Sequence, residues 1–572
     1  MRRILQYIKG YIPETILAPL FKLCEATLEL IVPLIIADII DSGIAKGDTG
    51  YIFGRFGVLI LLAVVGLIFS VTAQFFSAKA SVGFAKGMRG GLFSHIQSLS
   101  YTELDKIGTS TLITRLSSDT NSVQTGLNLT LRLLLRSPFV VFGAMIMAFT
   151  IDTESALTFV YVIPVLAIIV YGIMFISMPM HKRTQESTDS VLKKSKANLD
   201  GARVMRAFCR EDLEISEFEE ANTSLARAQR RVGRISALLN PLTFIVINIA
   251  IVYLIYTGAL KVNAGDLTTG QVVALYNYMS QILVELVKLA NLIVTVTKAI
   301  ASASRISAVF EVKSSITYGA CEDFGENESA VEFKNVSFTY SGAGAPSLQN
   351  ISFSVKRGDT VGIIGATGSG KSSLINLIPR FYDASEGEIF LFGKSIKEYS
   401  HKAINEKISV ATQKATLFSG SVRKNMLWGN PNATDGEIIR ALKLCEAYDF
   451  VMEKGGLDAE ISEGGKNLSG GQKQRLSIAR AIVGNPDILI LDDTTSALDY
   501  KTDASVRKSI REGTEGLTTF IVSQRASSIM HADLIITLED GEICGMGTHS
   551  ELLSDCEVYK EIYTSAGGGE NI

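Results

Sequence analysis

A glycine-rich segment in the second half of the chain has the residue types and spacing needed to bind phosphate. From Gly365 to Ser372 it reads Gly-Ala-Thr-Gly-Ser-Gly-Lys-Ser, between a strand-like apolar stretch and a helix-forming one. Glycines at this spacing let backbone N–H groups wrap phosphates, and the helix N-terminus adds a positive dipole. We expect Lys371 to reach the β- and γ-phosphates of ATP and Ser372 to bind Mg²⁺. The predicted nucleotide contacts in this P-loop are Gly365, Thr367, Gly368, Ser369, Gly370, Lys371, Ser372 and Ser373.

A carboxylate suited to Mg²⁺ follows later in the sequence. The apolar stretch 488–491 predicts a buried strand, and Asp492 comes directly after it. An Asp at the carboxyl end of a buried strand beside a P-loop is well placed to hold Mg²⁺ and its bound water. The sequence therefore predicts Asp492 as a metal ligand together with Ser372.

The motif Leu-Ser-Gly-Gly-Gln, residues 468–472, lies between these two and precedes a helical stretch. Ser469 and the N–H groups of Gly470 and Gly471 can meet a γ-phosphate there, and Ser469 would also cap the helix. The motifs and their order resemble those of ATP-binding-cassette proteins over essentially the whole chain. The resemblance implies further roles: adenine stacking for Tyr340, catalysis and Mg²⁺ binding for Gln413, and contact with the membrane domain for Glu463. It also implies a D-loop from Ser496 to Asp499, and nucleotide contacts for Ser469, Gly470, Gly471, Gln472 and Asp499.

The resemblance also implies how such a chain works. Members of the family form dimers with two ATP molecules between the ATP-binding domains. Each ATP lies on the P-loop of one chain and under the signature motif, here residues 468–472, of the other. Closing and opening of this arrangement moves the membrane helices between inward-facing and outward-facing states.

Two residues depart from the family pattern, and both belong to the same nucleotide site. In the family, a catalytic Glu follows the Walker B Asp, which is Asp492 in this chain. Asp493 stands here in the position of that Glu. The family has a His that contacts the γ-phosphate where this chain has Gln524. Asp is shorter by one methylene, and Gln cannot carry a proton. We expect slow hydrolysis on this chain's own P-loop and a different partner chain that supplies the catalytic Glu and His, the alternative being a homodimer with two slow sites.

The first part of the chain reads as a membrane domain. Six apolar segments approach the ~20 residues needed to cross a bilayer, at 16–40, 56–72, 137–150, 156–176, 241–260 and 272–296. The connections after the second and fourth segments are long, helical in pattern and rich in Lys and Arg, including Arg136. The positive-inside rule places them and both termini in the cytoplasm. We expect a multi-pass protein of the bacterial plasma membrane in contact with the lipid bilayer.

These features predict a six-helix membrane bundle fused to a soluble α/β P-loop domain. The expected boundaries are 1–312 for the membrane domain, 313–330 for a linker, 331–564 for the nucleotide-binding domain and 565–572 for a flexible tail. The net charge of −3 gives no reason to expect nucleic acid as a partner. The cysteines are scattered without metal-ligand spacing, so neither a zinc site nor a disulfide framework is expected.

Polar residues interrupt the apolar segments. Glu25 and Glu29 are spaced to share one helix face, and Glu285 and Lys288 are spaced to pair. They could line a substrate cavity or an outer gate that prefers cations, or they could bond helices to one another. Short helices at 101–107 and 205–213 are candidates for contact with the nucleotide-binding domain.

The function that these observations predict is ATP-driven export of amphipathic small molecules by one half of a transporter. Three alternatives stay open: a lipid or peptide exporter, a homodimeric exporter, and an ATP-gated channel or regulator. An importer is disfavoured, because importers usually keep the membrane and ATP-binding parts on separate chains.

Overall fold

The computed structural model describes residues 2–325, 327–494 and 498–565. Ser496 and Ala497 of the predicted D-loop lie outside the described residues, as does the predicted tail beyond Ser565. The chain divides into two compact units. A helical unit comprises Met1–Gln97 and Ser110–Val312, and an α/β unit comprises Ser98–Thr109 and Lys313–Ile572.

Long helices make up the helical unit. The chain starts with a short helix and a 3₁₀ turn at Gln6–Tyr11, and π-helical turns at Ile39–Ile44 and Arg115–Asp119 continue two of the later helices. The helices up to the end of this unit are α1 (Arg2–Leu5), α2 (Ile12–Asp38), α3 (Thr49–Gln97), α4 (Tyr101–Ile107), α5 (Thr109–Thr114), α6 (Thr120–Leu133), α7 (Arg136–Ile151), α8 (Thr153–Asp200), α9 (Ala202–Ala207), α10 (Glu211–Ala237), α11 (Leu239–Ala264) and α12 (Thr269–Glu311).

Five of the six predicted membrane segments fall within these helices, and the segment 16–40 runs two residues beyond α2 into the π-helical turn Ile39–Ile44. Five helical stretches of the described chain are long and apolar enough to cross a membrane: Thr49–Gln97, Thr109–Ile151, Thr153–Asp200, Glu211–Ala264 and Thr269–Glu311. The remaining segment lies in α2, which is 27 residues long but carries several charged residues. The long connections are helical as predicted, because α3, α8 and α10 run far beyond the apolar runs.

The charges of α2 are paired inside the helical unit. Lys22 Nζ lies 2.5 Å from Glu25 Oε2, and Arg136 Nη2 lies 2.5 Å from Glu29 Oε2. Arg136 is 7% exposed and also binds Glu285, at 2.6 Å. Arg136, predicted from its charge to belong to a cytoplasmic connection, begins α7, and its guanidinium is buried beside two carboxylates. The predicted pairing of Lys288 with Glu285 is confirmed, at 2.9 Å.

The α/β unit has strands over its whole length. They are β1 (Ser329–Phe338), β2 (Leu348–Lys356), β3 (Thr360–Gly365), β4 (Glu386–Leu391), β5 (Lys394–Ser395), β6 (Ile408–Ala411), β7 (Gly420–Ser421), β8 (Glu460–Ile461), β9 (Ile488–Asp492), β10 (Thr518–Val522), β11 (Leu534–Glu539) and β12 (Glu542–Gly547). The helices are α13 (Lys371–Leu377), α14 (His401–Lys407), α15 (Val422–Met426), α16 (Asp435–Leu444), α17 (Tyr448–Glu453), α18 (Gly470–Val483), α19 (Tyr500–Gly513), α20 (His549–Asp555) and α21 (Glu557–Ser565).

A central six-stranded sheet organises this unit. Its strand order is β12-β11-β3-β10-β9-β6, and all neighbours are parallel except β11 and β12. Nearly continuous apolar runs form β3, β9 and β10, as is typical of parallel strands covered on both faces. A four-stranded antiparallel sheet in the order β2-β1-β4-β5 adds a second core.

One of the two predicted contact helices belongs to the α/β unit. The Tyr101 ring in α4 packs 4.9 Å from the Phe381 ring, and the Tyr382 hydroxyl donates to Asp105 at 2.6 Å. The predicted contact of this helix is therefore confirmed. The predicted limits 205–213 of the other contact helix are wrong. Helix α9 ends at Ala207, and Cys209, with a φ angle of 51°, turns the chain before α10 begins.

Candidate functional site

The predicted phosphate and metal residues meet because of the order of three parallel strands. Strand β10 pairs with β3 on one side and with β9 on the other. The carboxyl ends of parallel strands share one edge of a sheet, where ligands of such folds bind. The P-loop leaves β3, Asp492 ends β9, and Gln524 follows β10. All three therefore lie at the same edge.

The P-loop backbone takes a shape that only glycine adopts easily. Gly368 and Gly370 have φ angles of 88° and 96°, in the left-handed region that favours glycine. A Cβ atom on Gly370 would come within 2.7 Å of the Ser347 carbonyl oxygen. The loop then opens α13, whose first residue is Lys371. Backbone N–H groups at this helix N-terminus provide donors for phosphate.

The Lys371 ammonium is folded over its own loop. Its Nζ donates to the carbonyl oxygens of Gly365 at 2.8 Å and Ala366 at 2.6 Å. Burial lowers the pKa of Lys371, and the nearby carboxylates of Asp493 and Asp492 oppose that shift. A buried cation held by neutral carbonyls is well placed to exchange them for anionic phosphate oxygens, which accept stronger hydrogen bonds.

Oxygen ligands for a hard cation converge beside this lysine. Ser372 Oγ lies 3.5 Å from Asp492 Oδ1, and Gln413 Nε2 donates to Asp493 Oδ2 at 3.1 Å. Burial is the main cause that raises the pKa of both Asp492 and Asp493, and the charge of Asp493 raises that of Asp492 further. A divalent cation would relieve this repulsion. Hydroxyl, carboxylate and amide oxygens suit Mg²⁺, so these residues fit the metal.

The two departures from the family pattern are found in the same place. Asp493 has φ 43°, and its backbone N–H donates to the Val522 carbonyl at 3.1 Å, next to the end of β10. Gln524 follows two residues after the end of β10 and is exposed. The positive charge of Arg525 opposes the rise in the pKa of Asp493. Both side chains thus belong to the P-loop edge rather than to the signature motif.

A cavity of about 560 Å³ unites these residues. Its predicted lining residues are Thr367, Gly368, Gly370, Lys371, Ser372, Ser373, Gln413, Asp492, Asp493 and Gln524. The sequence did not predict that Gln349, Asp540 and Gly541 also line it. Gly541 has φ 86° and its carbonyl accepts from the Gln349 N–H at 2.8 Å. Asp540 and Gly541 form an Asp-Gly pair between two apolar runs, which is a turn signal. This signal could have indicated that the turn forms part of the cavity wall.

The signature motif lies at the start of α18 and does not line this cavity. Ser469 caps the helix and its Oγ accepts from the Gln472 N–H at 3.3 Å, while Gln472 Oε1 accepts from the Ser469 N–H at 3.0 Å. These two bonds form a capping box, so the helix N-terminus is stable by itself. The buried Gln474, further along α18, donates to the Gln413 carbonyl at 2.7 Å. One contact therefore joins the signature helix to the P-loop edge.

Tyr340 and Asp499 also lie outside the cavity lining. The Tyr340 ring packs 4.7 Å from the Phe338 ring, and its hydroxyl accepts from Ser373 at 3.2 Å. Asp499 caps α19 and accepts from the Thr502 N–H at 3.1 Å. Tyr340 is thus tied to the end of the P-loop, whereas Asp499 stands at the end of the predicted D-loop.

These two units define a class of protein: a helical membrane domain fused to a P-loop ATP-binding domain. The description "ABC transporter transmembrane region" matches residues 15–286, and "ABC transporter" matches residues 348–496. The uncharacterized ABC transporter ATP-binding protein YfiB of Bacillus subtilis (strain 168) is 35% identical over 572 residues, 100% of this chain and 99% of that protein. The chain belongs to the ABC transporter family.

Two further similarities agree with this assignment. The putative multidrug export ATP-binding/permease protein YgaD of Bacillus subtilis (strain 168) is 31% identical over 585 residues, 99% of each chain. The structure of a bacterial Atm1-family ABC exporter with ATP bound has a TM-score of 0.81 and 22% identity, and covers 99% of each chain. This protein is an ABC exporter with fused transmembrane and ATP-binding domains, an ATPase-coupled, multi-pass membrane protein.

Proposed function

We propose that this chain is one half of a heterodimeric exporter of amphipathic small molecules. In this proposal its own P-loop site binds ATP and hydrolyses it slowly. Its signature motif completes the fast site on the partner's P-loop. The observation that carries the proposal is that Asp493 and Gln524 line one cavity with Lys371 and Ser372, while the signature motif is intact.

The chemistry of Asp493 and Gln524 supports slow hydrolysis. A carboxylate withdrawn by one methylene holds an attacking water farther from the phosphate, and a misplacement of about 1 Å can cost ~10²-fold in rate. Gln524 offers a hydrogen bond but cannot take up a proton. The Asp493 carboxylate also accepts a hydrogen bond from Gln413, which occupies one of its oxygens. Binding of ATP depends on the P-loop, which keeps every residue of its motif.

The donor set supports Mg²⁺ as the metal that accompanies ATP. Ser372, Asp492 and Gln413 would hold it, and it would neutralise charge that develops on the phosphates. Within this set, Asp492 supplies a full negative charge, and Ser372 and Gln413 supply neutral oxygens. Lys371 would bind the phosphates from the P-loop side.

Exposed surfaces support association with a second chain. The signature motif is exposed at the N-terminus of α18, where its N–H groups and helix dipole can act only on a nucleotide held elsewhere. Phe208, in the turn after α9, is 72% exposed. Phe418 and Trp428 stack 4.5 Å apart and Trp428 is 66% exposed. The stacked rings of Phe418 and Trp428 form an exposed apolar patch, which favours a protein contact.

A cavity in the helical unit supports amphipathic substrates. It measures about 550 Å³, a size that suits a drug-like molecule. Its polar lining consists of Glu25, Glu29, Ser70 and Arg136, and its apolar lining of Leu28, Val32, Leu59, Leu62, Ala63, Gly66 and Leu67. A mostly aliphatic wall with few charged groups fits a molecule with an apolar body and one polar end. The name of the relative YgaD, a putative multidrug exporter, agrees with this substrate class.

Membrane orientation follows from the same proposal. Both termini and the α/β unit would lie in the cytoplasm of a bacterium, where ATP is available. The basic residues of the long connections, including Arg203 and Arg206 of α9, support this orientation.

The decisive experiment compares Mg²⁺-dependent ATPase activity of the purified chain alone with that of the chain co-purified with a second half-transporter. We expect low activity alone and high activity with the partner. Changing the partner's catalytic Glu to Gln should abolish the activity, and Asp493→Asn should not. Brisk turnover by the chain alone, lost in Asp493→Asn, would contradict the proposal and indicate a competent homodimer.

The substrate cavity has its own test. Ala63→Trp would fill the cavity, whereas Ile60→Trp on the same helix replaces a residue that is 51% exposed and does not line it. We expect Ala63→Trp to lower the stimulation of ATPase by amphipathic compounds several-fold and Ile60→Trp to leave it unchanged. Equal stimulation in both variants would contradict a substrate site in this cavity.

A further inference from the structure

Buried charges join α19 to the segment that follows β10. Asp503, on α19, is 1% exposed, and its two carboxylate oxygens accept from Arg507 Nε at 3.1 Å and Nη2 at 2.8 Å. Ser528 Oγ also donates to Asp503 Oδ2, at 3.2 Å. The Arg507 Nη1 atom donates to the Ser528 carbonyl oxygen. We name Asp503, Arg507 and Ser528 the α19 cluster.

The segment bound by this cluster carries one residue of the nucleotide cavity, Gln524. We name residues 523–529 the switch segment. At its start the Ser523 N–H donates to the Ile363 carbonyl of β3, at 3.1 Å. At its end Ser528 closes a 3₁₀ turn, Ala526–Ser528, and binds the α19 cluster. Gln524 and Arg525 lie between these two fixed points, and both are exposed.

The cluster fixes the end of the switch segment, while the Gln524 side chain, which lines the cavity, stays exposed. A buried carboxylate needs its partners, because removal of one leaves an uncompensated charge. The fork of Arg507 satisfies both oxygens of Asp503 and also binds the switch backbone, so its geometry determines where Ser528 lies. Gln524 precedes Ser528 by one short turn. A displacement of Ser528 therefore moves Gln524 relative to the P-loop.

We propose that Asp503, Arg507 and Ser528 are positioning residues that set the affinity of this chain's own site for the terminal phosphate of ATP. They act through Gln524, which would meet that phosphate, and they touch no nucleotide themselves. This inference rests on the proposed function, in which the P-loop of this chain binds ATP and keeps it for long periods. In a site that retains ATP rather than splitting it, the position of Gln524 governs how long ATP stays.

The test uses the full chain, purified alone, with ATP and ADP as separate probes. Arg507→Lys keeps the charge beside Asp503 but cannot bind both of its oxygens and the Ser528 carbonyl at once. Ser528→Ala removes a single hydrogen bond from the cluster. Ser505→Ala is the matched control, because Ser505 lies on the same helix and its hydroxyl binds Glu446 instead. Ser528→Thr restores a hydroxyl. Dissociation constants and melting temperatures are measured for each variant.

We expect Arg507→Lys to weaken ATP binding about tenfold and Ser528→Ala about threefold, in line with the loss of one or two hydrogen bonds. ADP binding should change little, because ADP lacks the terminal phosphate. Ser505→Ala should match wild type, and Ser528→Thr should recover most of the ATP affinity. A merely structural role would lower the melting temperature and change both affinities equally or neither.

Two results would overturn the inference. One is equal loss of ATP and ADP affinity in Arg507→Lys and Ser528→Ala. The other is unchanged ATP affinity in both variants despite a lowered melting temperature. Failure of the proposed function looks different: wild type would hydrolyse ATP quickly, while the ratio of ATP to ADP affinity would still depend on the α19 cluster. Absence of ATP binding in wild type would contradict both.

Discussion

The P-loop edge and the signature end of the α/β unit differ in how well they keep the family pattern. At the P-loop edge, two of the residues that should promote hydrolysis, at positions 493 and 524, are replaced. At the signature end the whole motif at 468–472 is present, and a complete capping box holds it. Both ends lie on one α/β unit, and in the proposed dimer they would serve different nucleotides. In the proposed heterodimer, this contrast would give the two nucleotides different fates.

The P-loop edge and the signature end also differ in the chemical groups that they offer. The P-loop edge holds ionisable groups in a partly buried cavity, where burial lowers the pKa of Lys371 and raises the pKa of Asp492 and Asp493. The signature end offers backbone N–H groups and a helix dipole without any charged side chain in the motif. The first can retain a nucleotide by charge. In the proposed dimer, the second would complete a site whose charges come from the partner chain.

The largest expected effect comes from adding a negative charge at the signature end. Gly470→Asp places a carboxylate at the first turn of α18, where it favours the helix but repels a γ-phosphate. We expect ATPase activity of the two-chain exporter to fall about a hundredfold or more, because a preorganised phosphate contact becomes repulsive. Phosphate release by the co-purified pair measures this.

Gly436→Asp is the control for the signature variant. Gly436 lies in the first turn of α16, and a Cβ there would meet only Thr434 Oγ1 at 3.9 Å. This variant adds the same charge to another helix start and should keep normal activity. Retained activity in Gly470→Asp would mean that the signature motif of this chain does not serve the fast site, and the contrast between the two ends would lose its functional meaning.

The next effect is a gain of activity at the P-loop edge. Asp493→Glu combined with Gln524→His restores the family's residues at both altered positions. We expect hydrolysis at this chain's own site to rise at least about tenfold, because general base catalysis and correct placement of water each contribute that much or more. The measurement is phosphate release in a pair whose partner lacks its catalytic Glu, so that the fast site is silent.

Asp493→Asn combined with Gln524→His is the control, since it restores the His without a carboxylate. It should show no gain. If the doubly restored variant is also no faster than wild type, the slow step at this site has another cause, and the two substitutions are not what separates the P-loop edge from the signature end.

Motif spacing and strand order were sufficient to predict the P-loop edge, whereas contacts distant in sequence were not predicted. The site at the carboxyl ends of β3, β9 and β10 follows from local patterns, because parallel strands bring successive exits together. The burial of Arg136 could not be predicted. Its partners Glu29 and Glu285 are 107 and 149 residues away, and in sequence a basic residue before an apolar run looks like a membrane-boundary charge.

The α19 cluster and the contact from Gln474 to Gln413 escaped prediction for the same reason. Each depends on a helix and a loop that meet only after the sheet has formed. The limits of α9 failed differently: Cys209 adopts a left-handed φ without a Gly or Pro to signal it. Local patterns therefore predicted which residues meet in the P-loop cavity, and tertiary contacts decide how those residues are held.

The smallest expected effect concerns the contact that joins the two ends. Gln474 is 4% exposed and donates to the Gln413 carbonyl at 2.7 Å, while the Gln413 side chain binds Asp493 at 3.1 Å. Gln474→Met keeps the side chain's length but removes the donor, so the Gln413 carbonyl loses its partner at a cost of about 1–3 kcal/mol. We expect ATPase activity of the pair to fall about threefold to tenfold, because Gln413 then sits less firmly beside the metal ligands.

Ser477→Ala is the control for Gln474→Met. Ser477 is equally buried on α18, and among the described residues its hydroxyl has no hydrogen-bond partner, so its loss should leave activity unchanged. A fall in both variants would indicate general loosening of α18. A fall in Gln474→Met alone would show that the signature helix and the P-loop edge are mechanically joined through the hydrogen bond from Gln474 to Gln413. No fall in either variant would mean that the P-loop edge and the signature helix are independent of each other in position, as they are in sequence.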